Sequence, residues 1–523
     1  MNFGNKIKFF NYRPLVSAFM FMMLGIIFVV GLIVKTPFFY ALSIITLIVV
    51  VSNIILKSVF AKNKAIIKIF IVFISFILGF MFTAMNVIKL NNQEEIKGEY
   101  VVEGSISTLA SSAKSGLWVV NLKNVLLISD NRVVKVDGEV RVYIDEGDGR
   151  VRDFVLGERV KGVLSLKKSE YFSQGNTNFY LANNKIALIG FCDEDEIESV
   201  GKTESNLFDA IKNKTKVTLD KFLSKEYSGL AYTMLFGDKA NLDDNIYESY
   251  SASGISHLLA VSGLHVGFLV AMLGFILSIF KAKDKTKFII IALTTFLYAF
   301  MCGFSVSVTR AFLMTVILLF SKLRKKKYDS LSAVSMAGII ILIYNPLYLF
   351  DVGFILSFGA VISIILLNGL LSDLFNKIFN QKLASALTVS MSAGVGTFLP
   401  IMLFFNKISL LSFITNIIVV PIASLAFMIM LPLMFVAMII EPLGVFIYMF
   451  EFLMKIVTWI SSLTGSISLV GLNSCFVTGF GLSLLLAILL NSDYVLISNK
   501  TKKIVSIMFF VLSVSILSLS FIC

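Results

Sequence analysis

Histidine occurs twice in 523 residues, cysteine four times and tryptophan twice, and charged residues make up only 15% of the chain. Each scarcity excludes something. Two histidines cannot supply a zinc-hydrolase cluster with its acidic partners. Cys192, Cys302, Cys475 and Cys523 are scattered, so neither a disulfide framework nor a Cys-x-x-Cys metal pair is expected. Soluble domains carry about a quarter charged residues. A chain with so few, 57% hydrophobic and with a mean hydropathy of +0.87, cannot hide its apolar surface in water. What it has in abundance is phenylalanine, 49 residues, which suits lipid-facing helices.

The net charge of +13 is unevenly spread. Residues 90–206 hold 14 Lys/Arg against 19 Asp/Glu, which leaves the remainder strongly basic. That surplus sits mostly in short loops between apolar runs, where it sets topology and need not mark a nucleic-acid surface. Lys6, Lys8 and Arg13 precede an apolar run over 14–34, which reads as an uncleaved signal anchor. Further spans are predicted at 38–56 and 69–89, with Lys57, Lys62, Lys64 and Lys68 between them. An inside N-terminus places that basic loop inside and residues 90–205 outside. Spans resume at 255–280, 288–304, 306–321, 331–345, 353–371 and 384–404. The basic loops 281–287 (KAKDKTK) and 322–327 (KLRKKK), and weakly Lys377 with Lys382, fall inside by alternation. Beyond residue 406 an apolar stretch over 410–440 is interrupted by Pro421 and Pro432, as in discontinuous or kinked helices. Spans at 443–463, 476–495 and 504–522 complete about thirteen.

The polar segment 90–205 changes period. Runs at 99–106, 117–128, 138–144 and 159–167 are Val-rich with partial alternation between Ser, Gly, Asp and Asn turns, predicting a small β domain of about five strands, OB-like. Residues 206–250 read as amphipathic helices at the outer interface or against the bundle, carrying Lys212, Lys214, Lys216, Lys221 and Lys225. The expected fold is therefore a polytopic α-helical membrane protein with an inserted extracytoplasmic small β domain. Its parts are residues 1–89 (about three transmembrane helices), 90–205 (β domain), 206–250 (interfacial helices) and 251–523 (about ten transmembrane helices).

The most informative segment is 253–267 (SGISHLLAVSGLHVG), which contains both histidines. Placed on one helix entering the membrane, Ser253, Ser256, His257, Ser262 and His265 need a wet cavity or a bundle interior, because lipid offers them no partner. Gly254, Gly263 and Gly267 would let another helix or an extended substrate approach. The bland reading is helix–helix hydrogen bonding. Arg310, at the end of 303–310 (GFSVSVTR), costs roughly 2.5–3.5 kcal/mol to insert, so a cavity or partner is expected; an ion pair with Asp351 is the structural alternative. Asp238 and Lys239 would flank the same face. Gly201-Lys202-Thr203 ends like a phosphate loop, but Glu196 replaces its first glycine and the acidic run 193–196 would repel phosphate.

At these residues the sequence resembles the ComEC competence family. Residues 229–239 (GLAYTMLFGDK), 253–267, 303–310, 345–358 (NPLYLFDVGFILSF) and 416–421 (NIIVVP) follow in the family's order, and 176–186 (NTNFYLANNKI) resembles the end of its OB-like domain. The resemblance implies a bacterial cytoplasmic-membrane channel importing single-stranded DNA during natural transformation, without metal, cofactor or enzymatic activity. Its path residues would be Ser253, Ser256, His257, Ser262, Gly263, His265, Arg310, Asp351, Asp238 and Lys239. Implied partners are membrane lipid, an outer DNA receptor and a cytosolic ATP-driven motor; homo-oligomerisation stays open. Many members continue into a metallo-β-lactamase-like domain, whose His-x-His-x-Asp-His cluster is not in this sequence, so strand degradation is expected from a separate nuclease. The competing readings are a small-molecule or ion transporter with a His/Arg/Asp relay, and a membrane assembly scaffold.

Overall fold

A computed structural model of the chain describes residues 13–34, 44, 65–92, 95–112, 117–129, 132–145, 154–173, 176–202, 206–405, 407–409, 411–465 and 468–470. The spans expected at 38–56, residue 44 apart, and at 476–495 and 504–522 lie outside the described residues.

Two apolar helices, α1 (Pro14–Val34) and α2 (Ala65–Asn91), pack as a pair and lead into the β domain. Its strands are β1 (Lys97–Ile106), β2 (Ser111–Ser112), β3 (Trp118–Ser129), β4 (Arg132–Lys135), β5 (Glu139–Asp145), β6 (Glu158–Lys168), β7 (Phe172–Ser173), β8 (Asn176–Thr177), β9 (Ile186–Asp193) and β10 (Ile197–Lys202), with a short helix α3 (Phe179–Asn183) before β9. The order β1-β3-β5-β9-β6 returns to β1, so five strands close a small barrel; β10 adds to β6, and β5–β9 is the parallel pairing. Closure removes the exposed edges that an open sheet of this size would leave. Strict alternation fills it: in β5, Val140, Val142 and Ile144 point inward beside Val102, Ile106, Leu122, Leu164 and Leu166.

The barrel is fastened to the helices in three ways. Val30, Val34, Val87 and Leu90 at the ends of α1 and α2 form one apolar cluster with Tyr171, Leu181, Ile186 and Leu347. Phe179 stacks on Phe350 at 4.5 Å, and Asn345 Nδ2 donates to Asn183 Oδ1 at 3.3 Å. On another side, the Asn213 amide brackets the backbone of Leu156 through both its N–H and its carbonyl, and Lys123 pairs with Asp209 at 2.9 Å.

Residues 206–250 form α4 (Leu207–Phe222), α5 (Lys225–Phe236) and α6 (Asp244–Ala252). Helix α4 is amphipathic, but α5 is enclosed all round from Tyr227 to Phe236. The helices that follow are α7 (Gly263–Ile279), α8 (Asp284–Met301), α9 (Val306–Leu323), α10 (Ser330–Tyr344), α11 (Val352–Phe375), α12 (Gln381–Phe405), α13 (Ser412–Ala437) and α14 (Tyr448–Gly465); a ribbon of β11 (Lys407–Ser409) and β12 (Ser468–Val470) pairs the chain before α13 with that after α14. Asp329 and Asp351 cap α10 and α11 through their carboxylates. Pro421 and Pro432 both lie inside the continuous α13. Seven of the described helices are long and apolar enough to cross a membrane, and α7 and α10 are shorter apolar helices. The chain is a multi-pass helical membrane protein carrying a small closed β barrel.

The span expected over 255–280 is not one helix. The chain leaves α6 at Ala252, makes a single 3-10 turn over Ser256–Leu259, runs extended through Ala260, and begins α7 only at Gly263. Ser262, a strong N-cap residue, starts a new helix where periodicity alone predicts continuation.

Candidate functional site

The signature 253–267 is therefore a break between helices, and its polar side chains do not form one stripe. Ser253 ends α6 and is fully buried; its hydroxyl lies 2.6 Å from Ser461 Oγ of α14, which in turn donates to the Ser249 carbonyl at 3.0 Å. Tyr250 OH and Thr458 Oγ1 add a second contact at 3.2 Å. Ser256 opens the 3-10 turn, and His257 beside it is exposed, its ring bonded to the Gly254 backbone.

His265 does the opposite. It is 2% exposed in the first turn of α7, and its Nδ1 accepts from the Ser262 backbone N–H at 3.0 Å, while Ser262 Oγ accepts from Leu264 N–H at 3.2 Å. This is a capping box with an imidazole in the place usually held by Glu or Gln. Because Nδ1 accepts, the neutral ring carries its proton on Nε2, an assignment from the hydrogen-bond network. The ring also meets Phe427 of α13 edge-on at 4.3 Å.

Arg310 lies five residues into α9 and is 6% exposed. Its Nη1 donates to the Ser357 carbonyl of α11, its guanidinium stands 5.9 Å from the Phe358 ring, and its Nε has no acceptor among the described residues. The ion pair with Asp351 is not formed: Asp351 Oδ1 instead accepts from Phe354 N–H at 3.0 Å, capping α11. Local cap geometry competed for that carboxylate and won. A Cβ placed on Gly263 would stand 2.8 Å from Arg310 Nη2, so the glycine at the start of α7 makes room for the guanidinium.

Asp238 and Lys239 follow α5, whose C-terminus is closed by Gly237 at φ +81°. Asp238 Oδ1 accepts from Ala240 N–H at 3.0 Å, and the carboxylate also takes the Leu109 N–H of the β domain. Burial pushes this carboxyl above the usual range, against the pull of those N–H groups and of Lys212. Lys239 instead lies 5.5 Å over the Tyr247 ring, outside this network. The structure thus brings Gly263, Ser262, His265 and Arg310 together; it holds Ser253 in a helix contact, Asp351 in a cap and Asp238 at the barrel junction. No hydrogen bond joins His257, Arg310 and Asp351 among the described residues, so they form no visible relay.

Sequence reasoning missed the partners: Ser461 and Thr458 on α14, Phe427 on α13 and Ser357 on α11. Ser461, Ser462 and Thr464 do stand out as a small polar cluster in an apolar run, a signal for close helix contact. Nothing in one sequence says which distant serine meets Ser253.

The model of the family described as Competence protein matches residues 234–493. ComE operon protein 3 of Bacillus subtilis (strain 168) is 34% identical over 203 residues, 39% of this chain and 25% of that protein. Recombination protein 2 of Haemophilus influenzae is 31% identical over 211 residues, covering 38% of this chain and 27% of that protein. An uncharacterized protein of Aquifex aeolicus is 28% identical over 280 residues, 52% of this chain and 62% of that protein. The matched stretches thus span about a quarter of the length of the first two relatives. No solved structure matches.

Proposed function

Because the chain belongs to the competence protein family, we propose that it is the integral membrane path by which single-stranded DNA enters the cell during natural transformation. The observation that carries this reading beyond kinship is the break at 253–262, where irregular polar backbone lies beside a buried arginine that lacks a carboxylate partner among the described residues. Non-helical backbone within a helical membrane protein is tolerated where it is enclosed by protein or borders water. A guanidinium there favours a polyanion.

The domain division drawn from the sequence is part of the proposal: 1–89 anchors, 90–205 is an extracytoplasmic OB-like domain, 206–250 joins it to the bundle, and 251–523 forms the channel in the bacterial cytoplasmic membrane, N-terminus inside. Ser262, Gly263, His265 and Arg310 build the constriction, with Ser256 and His257 in the 3-10 turn that precedes it. Ser253, Asp238 and Asp351 belong to the path through the backbone they position, and Lys239 through its exposed charge beside Tyr247. Each phosphate entering an inside-negative cell climbs about 2.3 kcal/mol per 100 mV, so passage needs work from elsewhere. The partners are therefore a DNA receptor outside, an ATP-driven motor in the cytosol and a nuclease, and the chain itself acts by transport, without catalysis.

The test is deletion of the gene in a transformable host, scoring DNA binding and DNA entry separately. Entry falls by orders of magnitude while binding stays; undiminished transformation removes the proposal.

A further inference from the structure

Helix α7 begins at Gly263. Its macrodipole places about half a positive charge at that end. Against it, in the space a side chain on Gly263 would need, lies Nη2 of Arg310. Two positive groups therefore face each other, and among the described residues no Asp or Glu forms an ion pair with Arg310. Asp351, the carboxylate expected to pair with it, is committed to capping α11. Arg310 uses Nη1 on a backbone carbonyl and leaves Nε buried and without an acceptor; Ser357, which supplies that carbonyl, has its own hydroxyl buried and without a partner. A buried cation without a counter-charge costs several kcal/mol. An oxyanion at this position would meet the N-terminus of a helix of 17 residues, a guanidinium with unspent donors and a free hydroxyl, the combination that binds phosphate elsewhere.

We propose that Gly263, Arg310 and Ser357 form an anion site for a phosphodiester group, a single step that each phosphate of the strand occupies as it passes. The site deepens the DNA-import reading and rests on it for its substrate. Gly263 is small so that the guanidinium can lie at the helix start. Ser262 takes the Leu264 N–H and His265 the Ser262 N–H, so at this site the helix start contributes its dipole and Arg310 the charged hydrogen bonds.

The full chain in a phosphate-free maltoside detergent tests this in three arms: inorganic phosphate against chloride at equal ionic strength, a short single-stranded oligonucleotide, and an anionic phospholipid. The oligonucleotide and phosphate raise the unfolding temperature and the phospholipid does not. Arg310→Gln weakens oligonucleotide affinity about tenfold or more, the scale of one charged hydrogen bond. Arg310→Lys recovers part of it. Gly263→Ala displaces the flexible guanidinium rather than backbone, so it keeps the fold and loses the affinity. The proposal is overturned if wild type shows no shift beyond chloride, if Arg310→Gln and Gly263→Ala both bind as wild type, or if phospholipid alone produces the shift. Arg310-dependent binding with undiminished DNA entry in Arg310→Gln cells keeps the anion site and removes its place in import. Loss of entry in those cells, with no anion shift in the purified protein, removes the site and leaves the import reading standing.

Discussion

Replacing His265 by alanine separates packing from chemistry in the signature. The substitution removes the Nδ1 acceptor from the Ser262 N–H and opens the capping box; loss of a cap costs about 0.5–2 kcal/mol. It removes the edge contact with Phe427, worth about 0.5–1.5 kcal/mol. It also leaves a void at a site that is 2% exposed. Together these give a destabilisation of about 2–4 kcal/mol, discounted for overlap between the cap and the void. His265→Asn, which keeps an acceptor near Nδ1, recovers roughly the cap share. The assay is denaturant unfolding of the full chain in detergent, alongside DNA entry in cells with membrane levels measured. The pattern expected is graded: entry falls with the amount of folded protein, alanine more than asparagine. Wild-type stability in His265→Ala together with abolished entry refutes the argument, because it makes the imidazole a chemical participant and the cap irrelevant.

Three further outcomes follow from other contacts. Ser253→Ala and Ser461→Ala each cost about 1 kcal/mol, and the double mutant less than their sum, with a coupling of about 0.5–1.5 kcal/mol; additivity in unfolding measurements would show that the 2.6 Å contact contributes nothing. Asn213→Ala strips both backbone bonds to Leu156 and loosens the barrel from α4, so hydrogen exchange at residues 154–158 quickens while the barrel core stays protected; unchanged exchange there refutes the fastening. Burial, reinforced by Glu196 and Asp193, pushes the Cys192 thiol up to about 12. At a pH near the ordinary thiol value it stays neutral, so alkylation resolved by peptide mass spectrometry reaches Cys192 only after unfolding or at much higher pH; rapid labelling of the folded chain at that pH refutes the burial argument.

Composition and spacing by themselves determined that this chain is a multi-pass membrane protein, that its polar segment folds as strands, and roughly where most of the described apolar helices begin and end, because solvent partition and backbone periodicity are local properties summed over many residues. Five motifs in order also fixed the kinship later found at residues 234–493. Tertiary structure decided the rest. It closed the barrel through β1–β6, a pairing of segments some 60 residues apart. It turned one expected helix into a turn and a new helix, because the Ser262–His265 cap outweighs the apolar periodicity around it. And it gave Asp351 to its own helix and left Arg310 with a carbonyl, since whether a charge finds a partner depends on which distant backbone arrives beside it, which no run of neighbouring residues encodes.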